Sequence, residues 1–103
     1  MKTNEDKVYS LLGLATRAGK IVSGDDSTLL EMKRGKVNLV IVADDASDNT
    51  KKLFNDKCSY RKIDLIHFST KLELGSAIGK GYRAVLGIKD VNFSSKIKEL
   101  LEK

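Results

Sequence analysis

The sequence predicts a single α/β domain: a three-layer α/β/α sandwich with a mixed sheet of about four strands and about five helices. Three observations predict it. Apolar residues alternate between helical spacing and short uninterrupted runs, which mark helices and strands respectively. Glycines and short polar residues stand at the joins. Two runs, Val37–Ala43 (VNLVIVA) and Ala84–Ile88 (AVLGI), are so apolar that both faces must be covered, and helices on each side of a sheet do that. The 103 residues suit one core. No proline, repeat or low-complexity linker divides residues 1–103.

The first helix is expected from about Asn4 to Ala18. Val8, Leu11, Leu12 and Ala15 fall at i, i+3, i+4 and i+7, one buried stripe. Thr3 and Asp6 resemble a capping box at its start, and Gly19 ends it. Lys20 to Ser23 reads as a short strand. Gly24-Asp25-Asp26-Ser27 then opens a second helix, with short polar side chains where an N-cap is wanted. That helix closes at Gly35 behind Lys33 and Arg34, cations suited to its negative end. After the Val37–Ala43 strand, Asp44 to Asn49 reads as a loop, followed by a helix through Leu53, Phe54 and Cys58. Ile63 to Phe68 is another strand. Thr70-x-x-Glu73 is a capping box for a short fourth helix that ends at Gly79. Beyond the Ala84–Ile88 strand, Phe93, Ile97, Leu100 and Leu101 stripe a last helix from Asn92. Helical crossovers between strands require a sheet that is at least partly parallel.

Composition narrows the function. Lys and Arg number 19 against 14 acids, a formal charge of +5 and a pI near 9.4. That excess favours a polyanionic partner, because each neutralised phosphate releases counterions. The start of the chain lacks the basic-then-apolar pattern of a signal peptide. No apolar run reaches bilayer length, so a cytoplasmic protein without membrane contact is expected. One cysteine, Cys58, and one histidine, His67, leave no disulfide framework and no zinc cluster. No cofactor, metal or catalytic group is expected. Cys58 reads as a small buried apolar residue, and His67, at a strand end, as a packed or hydrogen-bonded one. Asp44, Asp45 and Asp48 read as a solvated, capped loop rather than a magnesium site.

Two segments carry chemistry. In Arg17–Ser27 (RAGKIVSGDDS), basic residues precede a short strand that turns through Gly24 into a helix N-terminus. Such an end offers free N–H groups and a positive dipole. Two acids repel phosphate, so Asp25 and Asp26 would accept hydrogen bonds from base edges. A glycine turn with an Asp cap accounts for the same residues. Gly13–Lys20 lacks the spacing and the hydroxyl residue of a phosphate-binding loop, which excludes that motif. The second segment, Ser69–Gly75 followed by Ile78–Arg83, offers Lys71, Lys80 and Arg83 for phosphates and Tyr82 for stacking on an unpaired base. A capped helix and a flexible turn explain it equally.

Taken together, LLGLATRAGKIVSG (Leu11–Gly24), the Lys33-Arg34-Gly35 helix end, LVIVADDASDNTKK (Leu39–Lys52), DKCSY (Asp56–Tyr60) and KLELGSAIGK (Lys71–Lys80) resemble a known family over essentially the whole chain. It is the kink-turn-binding ribosomal protein superfamily, in its bacterial YlxQ-type form. The superfamily includes archaeal and eukaryotic large-subunit ribosomal proteins and small ribonucleoprotein core proteins. The resemblance implies an α/β/α sandwich that binds RNA without catalysis. Its RNA site would lie at the start of the second helix and in the loops before and after the fourth. The family motif there is Gly-x-Asn-Glu-x-x-Lys, whose Asn and Glu read guanines of sheared G·A pairs. This chain keeps Gly24 but has Asp26, Ser27 and Leu30 at the other three positions. Asp accepts without donating, Ser is too short to reach as Glu does, and Leu carries no charge. A general RNA surface is therefore better preserved than the kink-turn reader.

The reading that follows is a monomeric RNA-binding module associated with structured RNA, ribosomal or kink-turned, or with translation. Lys20, Lys33, Arg34, Lys71, Lys80 and Arg83 would meet phosphates. Gly24, Asp25, Asp26 and Ser27 would face bases, with Tyr82 stacking. The alternative is a protein-interaction module with a degraded RNA site that docks on a ribosomal, transcription or translation factor.

Overall fold

The computed structural model describes residues 2–102. Nine elements follow one another: α1 (Asn4–Arg17), β1 (Ile21–Ser23), α2 (Asp25–Lys33), β2 (Leu39–Val42), α3 (Asp48–Arg61), β3 (Asp64–His67), α4 (Lys71–Ala77), β4 (Val85–Ile88) and α5 (Val91–Leu101). The four strands form one open mixed sheet in the order β1-β4-β2-β3. Only β2 and β3 run parallel, joined through α3. The pairs β1–β4 and β2–β4 are antiparallel. Helices α2 and α3 pack on β1/β4 and β2/β3, while α1, α4 and α5 pack together as the other layer of the sandwich.

Position in the sheet explains the apolar pattern. Every residue of the central strands β2 and β4 is buried, as the two unbroken apolar runs require. The edge strands are only half covered, which is why Asp64 and His67 are tolerated on β3. Val8 and Leu12 from α1, Met32 from α2, Phe54 and Cys58 from α3, Leu74 from α4 and Ile97 from α5 close the core with these strands. Gly87 lets α2 approach the sheet. A methyl group there would stand 2.8 Å from Val22 Cγ1 and 3.2 Å from Thr28 Cγ2, inside van der Waals contact.

Several local expectations need correction. The start of α2 has Gly24 at its N-cap with φ +90° and no side-chain cap, because the turn out of β1 demands a backbone that Asp and Ser rarely adopt. Asp25 and Asp26 belong to the first turn instead and complement the helix dipole. The capping box at Thr3 and Asp6 is complete, whereas at α4 only the Thr70 half forms, its hydroxyl accepting from Glu73 N. Helix α3 begins inside the expected loop at Asp48, capped by Ser47 Oγ accepting from Thr50 N. Helix α5 starts one residue early because Asp90 caps it. His67 is exposed rather than packed.

The strand registers define two poles. Ser23 lies opposite Leu86, and Val42 is flanked by Val85 and His67. This is the first pole. At the second, Ile21 and Leu39 both pair with Ile88, and Leu39 also pairs with Asp64. The step from Asn38 to Ala43 along β2 separates them by about 17 Å of strand.

Candidate nucleic-acid interface

Four loops meet at the first pole: β1–α2, β2–α3, β3–α4 and α4–β4. A chain of hydrogen bonds ties them together. Gly24 N donates to Val85 O at 3.0 Å, which pins the β1–α2 turn to the start of β4. Arg83 Nε donates to Ser23 Oγ at 3.1 Å. Arg83 N donates to Lys71 O at 3.0 Å, and Lys71 N donates to Asp45 Oδ1 at 2.8 Å. Each bond crosses from one loop to another, so the surface is held as a unit.

Two backbone features set this geometry. Ser69 takes φ +70°, a conformation that costs a non-glycine residue about 1 kcal/mol or more. It is held there by a 2.7 Å hydrogen bond with the Tyr9 hydroxyl and by Asp44 N donating to its carbonyl at 2.8 Å. Burial pushes the Tyr9 hydroxyl pKa up from its usual value. On α4, Gly75 lies directly under the α4–β4 loop. A Cβ there would come within 1.6 Å of Gly81 O, and Lys80 N donates back to Gly75 O at 2.8 Å. A loop carrying Lys80, Tyr82 and Arg83 therefore rests on a helix that has no side chain at the point of contact.

The exposed groups differ in kind. The first turn of α2 presents Asp26 and Ser27 to solvent beside N–H groups that no side chain caps. Leu30, 48% exposed, stands one turn further on the face of Asp26. Tyr82 and Leu72, 69% and 59% exposed, line a shallow groove with Asp45, Thr70 and Lys71. Such a mixture of carboxylates, open N–H donors and an aromatic ring suits base edges and faces. Around the α4–β4 loop the cations are Lys71, Lys80 and Arg83, with one guanidinium nitrogen of Arg83 already donating to Tyr82 O at 2.9 Å, and Lys51 and Lys52 stand near the start of α3.

The candidate residues thus divide. Gly24, Asp25, Asp26, Ser27, Lys71, Lys80, Tyr82 and Arg83 gather at the first pole. Lys20, Lys33 and Arg34 do not. Lys20 precedes β1, and Lys33 and Arg34 end α2, so all three sit at the second pole. There the Lys20 carbonyl accepts from Lys89 N at 2.8 Å, and Arg34 pairs with Glu31 at 3.1 Å. Sequence reasoning grouped them with Gly24 because they are close along the chain, but strand β1 and helix α2 each carry them to the far end. It also read Asp45 as part of a solvated loop and gave Ser23 and Gly75 no role of their own. Only Gly75 gave a signal, as a glycine inside a helical pattern.

Among the described residues, no three His, Cys, Asp or Glu side chains gather as a metal site needs. No described helix is long and apolar enough to cross a membrane.

A four-stranded mixed sheet between two helical layers, with a loop-built pole at the start of the second helix, defines a small α/β/α sandwich of the ribosomal-protein kind. The chain belongs to the ribosomal protein L7Ae/L30e/S12e/Gadd45 family, whose model matches residues 6–98. It is 42% identical over 99 residues to the RNA-binding protein YlxQ of Enterococcus faecium, covering 96% of this chain and 95% of that one. The YlxQ protein of Bacillus subtilis is 40% identical, with 91% and 94% covered. Large ribosomal subunit protein eL30 of Spodoptera frugiperda is 34% identical, with 98% and 91% covered. A solved structure from Bacillus halodurans of unknown function superposes with a TM-score of 0.91 at 40% identity, covering 94% of this chain and 98% of that one. The Giardia lamblia 15.5kD RNA binding protein shares the fold, with a TM-score of 0.79 at 20% identity over 99% of this chain and 88% of that one.

Proposed function

We propose that the protein binds structured RNA through its first pole, in the cytoplasm and as a non-catalytic component of the translation apparatus. The observation that carries this is the hydrogen-bonded lacing of Ser23, Arg83, Lys71 and Asp45, which fixes a helix end without a side-chain cap beside an exposed tyrosine. The names of the YlxQ relatives support RNA as the ligand. An exposed aromatic ring gains from an unstacked base. Carboxylates gain from the amino and imino groups of guanine. The favoured RNA therefore has an internal loop or kink that displays its bases, rather than a plain duplex.

A titration with a labelled kink-turn RNA and a matched duplex, at two salt concentrations, tests this. Tighter binding of the kink-turn, with a preference that Asp26→Ala and Tyr82→Ala reduce, is the expected result. Equal binding of both RNAs would remove the base-reading role. No binding at low salt would give first place to docking on a ribosomal, transcription or translation protein.

A further inference from the structure

The second pole is the more basic end of the molecule, and its cations line a continuous groove. One recess is bordered by Gly19, Lys20, Gly35, Lys36, Asn38 and Lys89. A second is bordered by Gly35, Asn38, Arg61 and Lys62 together with apolar residues. The two share Gly35 and Asn38, so they adjoin. Lysines flank one side and the Arg61-Lys62 pair the other, with an amide between. Gly19 and Gly35 both take positive φ, and a Cβ at either would meet nothing within 4 Å.

Helix dipoles do not account for this charge. Three helices end at this pole, and each already has a basic residue in its last turn: Arg17, Lys33 and Arg61. The dipole effect fades within that turn. Lys20, Lys36 and Lys89 lie outside the helices. Lys62 occupies a left-handed C-cap at φ +58°, a place that glycine or asparagine usually takes. Nor do local acids neutralise the groove. Glu31 is shared by Arg34 and Lys89, Asp64 is paired with Lys98, and Asp90 caps α5. Among the described residues Lys20, Lys36 and Lys62 have no carboxylate partner.

We infer that this groove is a second binding face, for the phosphodiester backbone of a nucleic acid. No carboxylate is among the described residues that border the two recesses, and the exposed aromatic ring at this end, Tyr60, lies against the Arg61 guanidinium, 5.7 Å from its ring centroid. Phosphate contacts supply affinity and register without reading sequence. The inference takes only the class of polymer from the proposed function and does not depend on base reading at the first pole.

Two triple variants of the full chain test it. One carries Lys20→Glu, Lys36→Glu and Lys62→Glu. The other carries Lys7→Glu, Lys52→Glu and Lys57→Glu, all exposed and outside the groove, and has the same net charge. Each is titrated with a 16-base-pair RNA duplex, a DNA duplex and the kink-turn RNA over a salt series, with thermal melting to confirm folding. A triple of alanines at 20, 36 and 62 replaces the first should the glutamates unfold it. The groove variant is expected to bind the RNA duplex at least tenfold more weakly at low salt. Its plot of log K against log salt should flatten by about two to three units, the loss of three phosphate contacts. Its preference for kink-turn over duplex should be unchanged or greater. A matching loss on DNA assigns the groove to the phosphodiester chain alone. A loss confined to RNA adds the A-form backbone spacing to what is recognised. Equal effects from the two triples overturn the inference, because net charge would then be the whole cause. No binding by the unaltered protein to any of the three overturns this inference and the proposed function together.

Discussion

At the residue scale, Thr28 illustrates how the second helix serves two masters. Its neighbours Asp26 and Ser27 face solvent, while Thr28 itself is completely buried against the sheet beside Gly87. Its hydroxyl finds no hydrogen-bond partner there, and neither does that of buried Ser94 on α5. An unsatisfied buried hydroxyl costs about 1–3 kcal/mol, and an apolar group of the same shape avoids that cost. Thr28→Val should therefore stabilise the protein by about 1 kcal/mol. Calorimetry should read this as a rise in Tm of about 4–8 °C for a domain of this size. A fall in Tm would show that the hydroxyl has a partner, such as a bound water. Arg83 and Lys71 were readable as basic residues of a binding surface because their charge is written in the sequence. Ser23 and Asp45, which hold them, were not, since those bonds span 60 and 26 residues along the chain.

At the element scale, nearly every helix and strand was legible, because local patterning decides them. The apolar stripe of α1 and the unbroken runs of β2 and β4 are instances. What escaped were features set by tertiary geometry: the antiparallel entry of β4 beside β2, the left-handed turns at Ser69 and Lys62, and the bare contact between α4 and its following loop. Gly75 makes that contact testable. In an isolated helix Ala is better than Gly by about 1 kcal/mol, so propensity alone predicts that Gly75→Ala is stabilising. The 1.6 Å approach of its Cβ to Gly81 O predicts the reverse, since the clash is with backbone. The loop from Gly79 to Arg83 must lift, carrying Tyr82 away and weakening the bonds from Arg83 to Ser23 and Lys71. Kink-turn affinity should fall about tenfold or more, with Tm also lowered. The slope of duplex binding against salt should stay as it was, because the second pole is untouched. Unaltered kink-turn binding would show that this loop contributes nothing to recognition.

At the scale of the whole molecule, one core supports two poles of different chemistry, and the state of that core can be followed through its single cysteine. Cys58 is 2% exposed on α3, packed in the main apolar cluster. Burial pushes its thiol pKa up to about 11 from an ordinary value of 9. In the folded protein the thiol keeps its proton between those values, whereas in the unfolded chain it loses it. The unfolded state then binds fewer protons, so stability must fall as pH rises through this window and be unaffected by this group below pH 9. The full two-unit difference corresponds to about 2–3 kcal/mol at its upper end. Melting curves of the wild-type protein should show Tm level from pH 7 to 8.5 on account of this group and then descending toward pH 11. Cys58→Ala leaves a cavity and should lower Tm at every pH, but its alkaline descent should be shallower than that of the wild type. Parallel descents would assign the alkaline loss to other groups, such as the Tyr9 hydroxyl at the first pole, whose pKa burial also raises. The same thiol should resist alkylation at neutral pH until the chain unfolds. Its labelling rate therefore reports core opening, and RNA bound at either pole should slow it in proportion to the stability that binding adds.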